Sequence, residues 1–341
     1  MNFFRQWKDS GRLVGASLVV LGLAVGFTGG YAQGKANETN LIKSSFSPIK
    51  ESGTSYTFVH PLLAYRTPEA TELGEYASLK NAFQTKVNLA TQSGASRVSV
   101  YFRDLEAGQW VGINQEDTYY PASLLKVPTM IAYYKEAEGN PYLLSDTISY
   151  DPRVMPEASF DAPSTLVAWR PYSIKELIKS MIVDSDNGAT FTLLNRINSN
   201  YLHAVYVALG VPDPGDNSAD YQISARTYAL FFRVLYNGSY LSSNSSEQAL
   251  KLLSQTTFRD GLDAGVPQGT VIAHKYGEHV LTQSGVASGV ELSDCGIVYY
   301  PAHPYLLCVM ASAPSEASAE KIIADISRAA YTATQQQYGD K

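Results

Sequence analysis

From residue 73 onward the apolar positions fall into regular patterns. Tyr76, Leu79, Phe83, Val87 and Ala90 recur every three or four residues and mark one face of a helix. The next stretches, RVSVYFRDL and QWVGIN, alternate apolar and polar residues and predict two strands of a hairpin closed by EAG. YYPASLLKVPTMIAYY, residues 119–134, follows and is apolar nearly all round. It predicts a central buried helix, with Pro128 confined to the opening turns, where it breaks no ladder. SIKELIKSMIV predicts another helix: Ser173 and Glu176 spell a capping box, and Ile174, Leu177, Ile178, Met181 and Ile182 form its apolar face. It stops at the polar DSDNG, where Asn187 is placed to cap the next helix. Further helices are predicted at 201–209, 224–236, 245–256 and 316–332, with Ile322, Ile323 and Ile326 of the last turned inward. Three late runs, TVIAHKYGE, DCGIVYYP and YLLCVMAS, read as strands, the last two joined by AHP.

Helices and strands thus stand at both ends of this region, with a mostly helical middle. The predicted class is α+β, an α/β sandwich: an antiparallel sheet built from both chain ends and flanked by helices, plus an all-helical lobe. No internal repeat is visible.

The first 72 residues follow a different pattern. MNFFRQWKDSGR carries Arg5, Lys8 and Arg12, and LVGASLVVLGLAVGFTGGYA, residues 13–32, carries no charge at all. A helix of that length just crosses a bilayer. The basic flank stays in the cytoplasm, so the rest of the chain is expected outside it, as the extracytoplasmic part of a single-pass cell-membrane protein. Gly30 and Ala32 also suit signal-peptide cleavage, which would leave a secreted protein. Residues 33–72 are polar and rich in Ser, Thr, Gly and Pro, and read as a flexible linker reaching roughly 35 Å by the square-root rule for coils. The expected organisation is therefore 1–32 anchor or signal, 33–72 linker, 73–335 catalytic domain and 336–341 tail.

Composition removes several classes. With 45% hydrophobic and 17% charged residues, the chain of 341 residues has ample core. A net charge of -6 with no basic stripe excludes a nucleic-acid partner. The five histidines form no helical i, i+4 pair, so neither a metal site nor a cofactor is expected. Cys295 and Cys308 are expected to be inert core thiols on neighbouring apolar runs.

Within the buried segment, Ser123 and Lys126 stand three apart and share a helix face. A serine hydroxyl needs a base to become a nucleophile. A lysine supplies one when burial or a second cation disfavours its ammonium form. S-x-x-K alone is a weak signal, since Ser47/Lys50 repeats it in a linker and Ser318/Lys321 near the start of the last helix, with Lys321 on a solvated face. Ser185-Asp186-Asn187 between two helices and Lys275-Tyr276-Gly277 on a late strand sharpen it.

The ordered set S-x-x-K, S-D-N, K-x-G, over roughly residues 73–335, resembles the serine penicillin-recognising enzymes, class A β-lactamases most of all. The resemblance implies Ser123 as nucleophile, Lys126 as acceptor or relay of its proton, and Ser185 as proton shuttle to the leaving nitrogen. It implies that Asn187 holds the substrate amide and that Lys275 attracts the substrate carboxylate. Gly277 would clear room along the strand, and the backbone N–H groups of Ser123 and Glu278 would form an oxyanion hole. Asp186 is expected to brace its loop, and Phe160 to stand either at the cleft mouth or in the core.

Two departures stand out. The family's E-x-x-L-N loop corresponds to GVPDPGDNSADYQISARTY, which is shorter and holds no glutamate. Asp213, Asp216 and Asp220 are its only acids, and they read as turn formers. Tyr276 stands where the family has Thr or Ser, so it is a candidate substrate contact of altered reach. His274 is expected to face solvent. No G-x-S-x-G elbow or Ser-His-Asp relay is present.

These readings imply an exported serine hydrolase forming an acyl-enzyme with a β-lactam, with slow deacylation. A D-Ala-D-Ala peptidase acting on cell-wall peptide is the alternative, and a catalytically silent, membrane-attached binding module the third. No oligomeric state follows from the sequence.

Overall fold

Alternation at both ends of residues 73–335 builds one sheet. The computed structural model describes residues 56–60, 76–155, 164–215, 220–283 and 285–339. Helix α1 (Ala77–Gln92) leads into β1 (Arg97–Asp104) and β2 (Trp110–Ile113). A short strand, β3 (Thr118–Tyr119), precedes a 3-10 turn at Ala122–Leu125 and helix α2 (Lys126–Gly139). The small pair β4 (Thr147–Ser149) and β5 (Pro171–Ser173) introduces the helices α3 (Ile174–Val183), α4 (Asn187–Leu194) and α5 (Ser199–Leu209). Strand β6 (Ile223–Ser224) pairs with β3 and is followed by α6 (Ala225–Tyr236) and α7 (Ser243–Leu253). The chain closes with β7 (Ile272–Gln283), β8 (Val286–Val298), β9 (Tyr305–Ala313) and α8 (Glu316–Tyr338).

The main sheet runs β2-β1-β9-β8-β7, every neighbouring pair antiparallel, so strands from both ends of this region meet at β1 and β9. Period-two alternation divides its side chains between two cores. Val98, Val100, Phe102, Leu307 and Val309 pack with α1 and α8. Tyr101, Leu306, Cys308 and Met310 face the helical lobe, whose centre is the fully buried Val127, Met130 and Ile131 of α2. Pro128 is the third residue of α2, where its missing N–H breaks no ladder bond. The capping box of Ser173 and Glu176 forms in both directions. The next cap differs from expectation: Asp186, not Asn187, accepts from Ala189 N–H at 2.8 Å and caps α4.

Three further expectations are corrected, and one unassigned stretch is filled in. Cys295 and Cys308 stand opposite each other on β8 and β9 and are joined by a disulfide, not left as thiols. His274 is fully buried, not turned to solvent: it pairs with Asp294 of β8, over which Gly261 and Leu262 lie. The last helix runs on to Tyr338, into the expected tail, since Ala330 and Thr334 keep its inner face buried. Residues 279–293, left unassigned by the sequence, complete a long β7–β8 hairpin.

Part of the expected linker is also structured. The N–H groups of Thr57, Phe58 and Val59 all donate to the Glu247 carboxylate, at 3.0, 2.7 and 3.0 Å. Val59 enters the core and Phe58 meets Tyr299 edge-on at 5.2 Å. Glu247→Ala should leave three backbone donors without their acceptor. We expect a loss of about 1–3 kcal/mol in a denaturant melt and new proteolytic cleavage around residue 60. The expected anchor at 13–32 lies outside the described residues, and no described helix is long and apolar enough to cross a membrane.

Candidate active site

Ser123 is positioned from three sides. Tyr120 N–H donates to the buried Glu291 carboxylate at 3.0 Å, and Glu291 is itself paired with Arg97. Tyr228 of α6 donates its hydroxyl to Leu124 O at 2.9 Å. Gly277 of the edge strand β7 lies against the turn: a Cβ there would come within 2.4 Å of Pro121 O and 3.0 Å of Leu124 N. The glycine is therefore required first by the Ser123 turn, beyond any clearance it gives a ligand. This approach sets the backbone of Gly277 and Glu278 alongside that of Ser123 and Leu124. Ala122, just before the serine, holds φ +46°, a left-handed value that a residue with a Cβ adopts at a cost. Gly277→Ala should displace the turn or the strand. We expect a loss of about 1–3 kcal/mol in a denaturant melt, while the far-ultraviolet spectrum stays native.

Lys126 opens α2, one 3-10 turn after Ser123, so the two share a face of the element. Its Nζ, in a residue only 3% exposed, donates to Ser185 O at 2.5 Å, Ser185 Oγ at 3.0 Å and Asn187 Oδ1 at 2.9 Å. Ser185 stands in the loop between α3 and α4 with φ +54°. From the opposite wall the fully buried Lys275 donates to the same Ser185 Oγ at 2.9 Å and to Tyr276 O at 2.9 Å. Two amines thus converge on one hydroxyl. Their donors occupy its two lone pairs, which leaves the Ser185 proton to be donated, and the Tyr276 phenol is within its reach.

The electrostatics follow from this burial. Desolvation pulls the Lys126 amine from its usual 10.5 down to about 7, against the opposing charge of Asp186. Desolvation pulls Lys275 well down too, helped by the charge of Lys126 and opposed by Asp294. Ammonium groups sharing one acceptor repel, so protons leave the pair in coupled steps.

The structure brings Lys126, Ser185, Asn187 and Lys275 into one hydrogen-bonded network. Among the described residues Ser123 Oγ has no hydrogen-bond partner, and Asn187 spends its Oδ1 on Lys126. Asp186 braces the loop as expected, accepting from Ser164 and Thr165. Tyr276 stacks on Phe258 with centroids 4.1 Å apart, beneath the Lys275 Nζ at 4.2 Å, so the phenol joins an aromatic wall. Nothing in the sequence singled out Phe258, Glu291 or Asp294. Phe160 and Asp216 lie outside the described residues. In the short loop before β6, Asp213 pairs with His203 at 2.5 Å and takes Gly215 N–H at 2.9 Å, as a turn former does. Tyr221 closes that loop onto Pro212 O at 2.8 Å.

Comparison with known proteins agrees with this fold. Solved structures of the same fold include PBP-A, with 23% identity and a TM-score of 0.64 over 75% of this chain and 96% of that one. A β-lactamase from Chitinophaga pinensis is similar at 24% identity and a TM-score of 0.64, covering 74% and 99%. The extended-spectrum β-lactamase TLA-1 is similar at 20% identity and a TM-score of 0.65, covering 75% and 98%. No curated protein matches the chain at a significant level. A family model described as the β-lactamase enzyme family matches residues 79–334, most of the chain and all three motifs, and the protein belongs to that family.

Proposed function

We propose that this protein is an exported serine hydrolase whose Ser123 is acylated by a β-lactam and released only slowly. The observation that carries the reading is the Ser185 hydroxyl held between two buried amines, one of them Lys126 beside the Ser123 turn. Once Lys126 has shed one of the three protons it donates, its neutral amine takes the Ser123 proton, directly or through Ser185, as Oγ attacks the lactam carbonyl. The backbone N–H groups of Ser123 and Glu278 receive the developing oxyanion. Collapse of the tetrahedral intermediate breaks the C–N bond, and Ser185 hands its proton to the departing nitrogen while taking one back from the Lys126 ammonium. The product is an ester on Ser123. A variant of PBP-A has been solved as its acyl-enzyme complex with penicillin G, a state of this kind on the same fold.

Hydrolysis of that ester needs a base for water. The loop before β6 offers no glutamate, and Asp213 is engaged by His203 and Gly215. A missing general base costs typically 10²–10⁴-fold. The same absence favours a second reading, a peptidase for D-Ala-D-Ala-type wall peptides, for which a penicillin is a slow-release inhibitor. The uncharged segment at 13–32 supports export of either enzyme.

Incubation with penicillin G, followed by intact mass over time, tests both. An adduct on Ser123 lasting minutes to hours, absent in Ser123→Ala, is expected. Rapid drug turnover with a fleeting adduct would overturn slow release. No adduct at any concentration would favour a silent binding module and sink the enzymatic reading.

A further inference from the structure

Two half-buried rings meet beside the Ser123 turn. His279 of β7 lies on the Tyr120 ring, with centroids 4.4 Å apart and planes inclined by 31°. Tyr120 stands just before Pro121, and its N–H is the group that donates to Glu291. Glu291 is the β8 register partner of His279, so the two side chains stand side by side on the sheet face that meets the turn. The β7–β8 hairpin therefore holds Tyr120 twice, by its backbone through Glu291 and by its ring through His279. Arg97 of β1 pairs with the same carboxylate and lies over the Tyr119 ring, 4.7 Å from its centroid. Two positions earlier on the same face of β7, Gly277 lies against Pro121 O and Leu124 N. Glu278, whose N–H belongs to the proposed oxyanion hole, stands between these two contacts. Strand β7 is the edge of the five-stranded sheet, held by β8 on one side. β9 backs the hairpin only as far as Val290, and past that row Val280 and Val286 are exposed. His279 thus sits where the hairpin leaves the sheet, at the point where an untied edge strand swings most freely.

We propose that His279 and Tyr120 are positioning residues that fix the gap between the Glu278 and Ser123 backbones, and with it the width of the oxyanion hole. The inference rests on the proposed acylation and deepens it. Two N–H donors stabilise an oxyanion fully only when both stand about 2.7–3.1 Å from the place the oxygen will occupy. Gly277 sets the closest approach of strand to turn, because a Cβ there would collide with Pro121 O. The ring stack supplies the opposite restraint: on the far side of Glu278 it keeps the strand from moving away. Both rings act through the backbone of their own segments, Tyr120 through the turn and His279 through β7. Donors that tighten on the transition state act on the limiting rate, so a widened hole slows acylation without weakening ground-state binding.

The test uses the full-length chain and penicillin G, with the limiting acylation rate and the binding constant separated by stopped-flow titration. His279→Ala should lower the limiting rate about tenfold and leave the binding constant within about threefold of wild type. His279→Phe, which puts a ring back on Tyr120, should recover the rate to within about threefold. Tyr120→Leu should match His279→Ala, and the double variant should lose no more than either alone, since one contact is removed in all three. A second readout is independent of activity. The nitrogen-15 order parameter of the Glu278 amide should drop from the rigid-backbone value of about 0.85 toward about 0.6 in His279→Ala, and stay rigid in His279→Phe. Losses that add in the double variant, or that fall on the binding constant, overturn the proposal. A Glu278 amide equally rigid in folded His279→Ala overturns it too. If Tyr120→Leu does not fold, the two His279 variants decide, because that ring is half-exposed and its loss leaves the core intact. Absence of acylation in the wild type would sink the proposed function and leave the order parameters to judge the contact between strand and turn.

Discussion

Lys126→Met should lower the acylation rate of Ser123 by about 10²–10⁴-fold, the usual worth of a positioned general base. Methionine keeps the length and apolar stem of the lysine, so α2 should still pack. What disappears is the one amine that meets Ser185 O, Ser185 Oγ and Asn187 Oδ1 together. The pH profile gives the sharper reading. Because burial brings this amine to about 7, its neutral form gains population as pH rises through that value. Wild-type acylation should therefore fall about tenfold per pH unit below 7 and level off above it. The sign for stability runs the same way. Between about 7 and the unfolded value the unfolded chain binds the extra proton, so Lys126 makes folding more favourable as pH rises across that window. Below 7 its contribution is fully unfavourable, because the ammonium form must be buried. A wild-type profile flat from pH 5 to 8, or a Lys126→Met rate within threefold of wild type, would assign the proton transfer elsewhere.

Much of this site was legible because local chemistry and periodicity coincided. Ser123 and Lys126 lie in a segment apolar on all sides, which cannot be an exposed helix, so a charge there had to be buried. The Ser173–Glu176 box and the polar break at Ser185 located the second motif between two helices. The strand alternation at 97–105 and 305–312 predicted a sheet drawn from both ends, and these two strands pair over their whole length.

The failures share a physical origin in the second layer. His274 alternates with Lys275, and an antiparallel strand of that pattern commonly has one wet face. Here α8 covers one face and the helical lobe the other, so both side chains are buried. No single-strand pattern reports what packs on its far side. The disulfide depends on register, since Cys295 meets Cys308 only because the turn between β8 and β9 sets that pairing. Residues 279–293 mix exposed Val280 and Val286 with glycines and serines, which blurs a period of two. The Tyr56–His60 segment carries no signal of its own, and its order comes from Glu247, almost two hundred positions away.

The largest stability effect is expected at Asp186, which never touches Ser123. Its carboxylate is 5% exposed and accepts four hydrogen bonds: Ser164 Oγ at 2.8 Å, Thr165 N–H at 2.6 Å, Thr165 Oγ1 at 3.0 Å and Ala189 N–H at 2.8 Å. Asp186→Ala strands all four donors and uncaps α4, a loss of about 2–4 kcal/mol in a urea or thermal melt. The loop it braces includes Ser185 at φ +54°, a conformation held only by its surroundings. Acylation should therefore fall even at temperatures where the variant is folded. Charge adds a separable effect. Asp186 favours the ammonium form of Lys126, so its removal should carry that amine further down and shift the acid limb of the acylation profile to lower pH. Asp186→Asn should reproduce the pH shift with a smaller loss of stability, because its amide oxygen can still accept two of the four bonds. A melt unchanged in Asp186→Ala would mean that the loop is held by other contacts. An acid limb that stays in place in both variants would mean that Asp186 exerts no charge on the base.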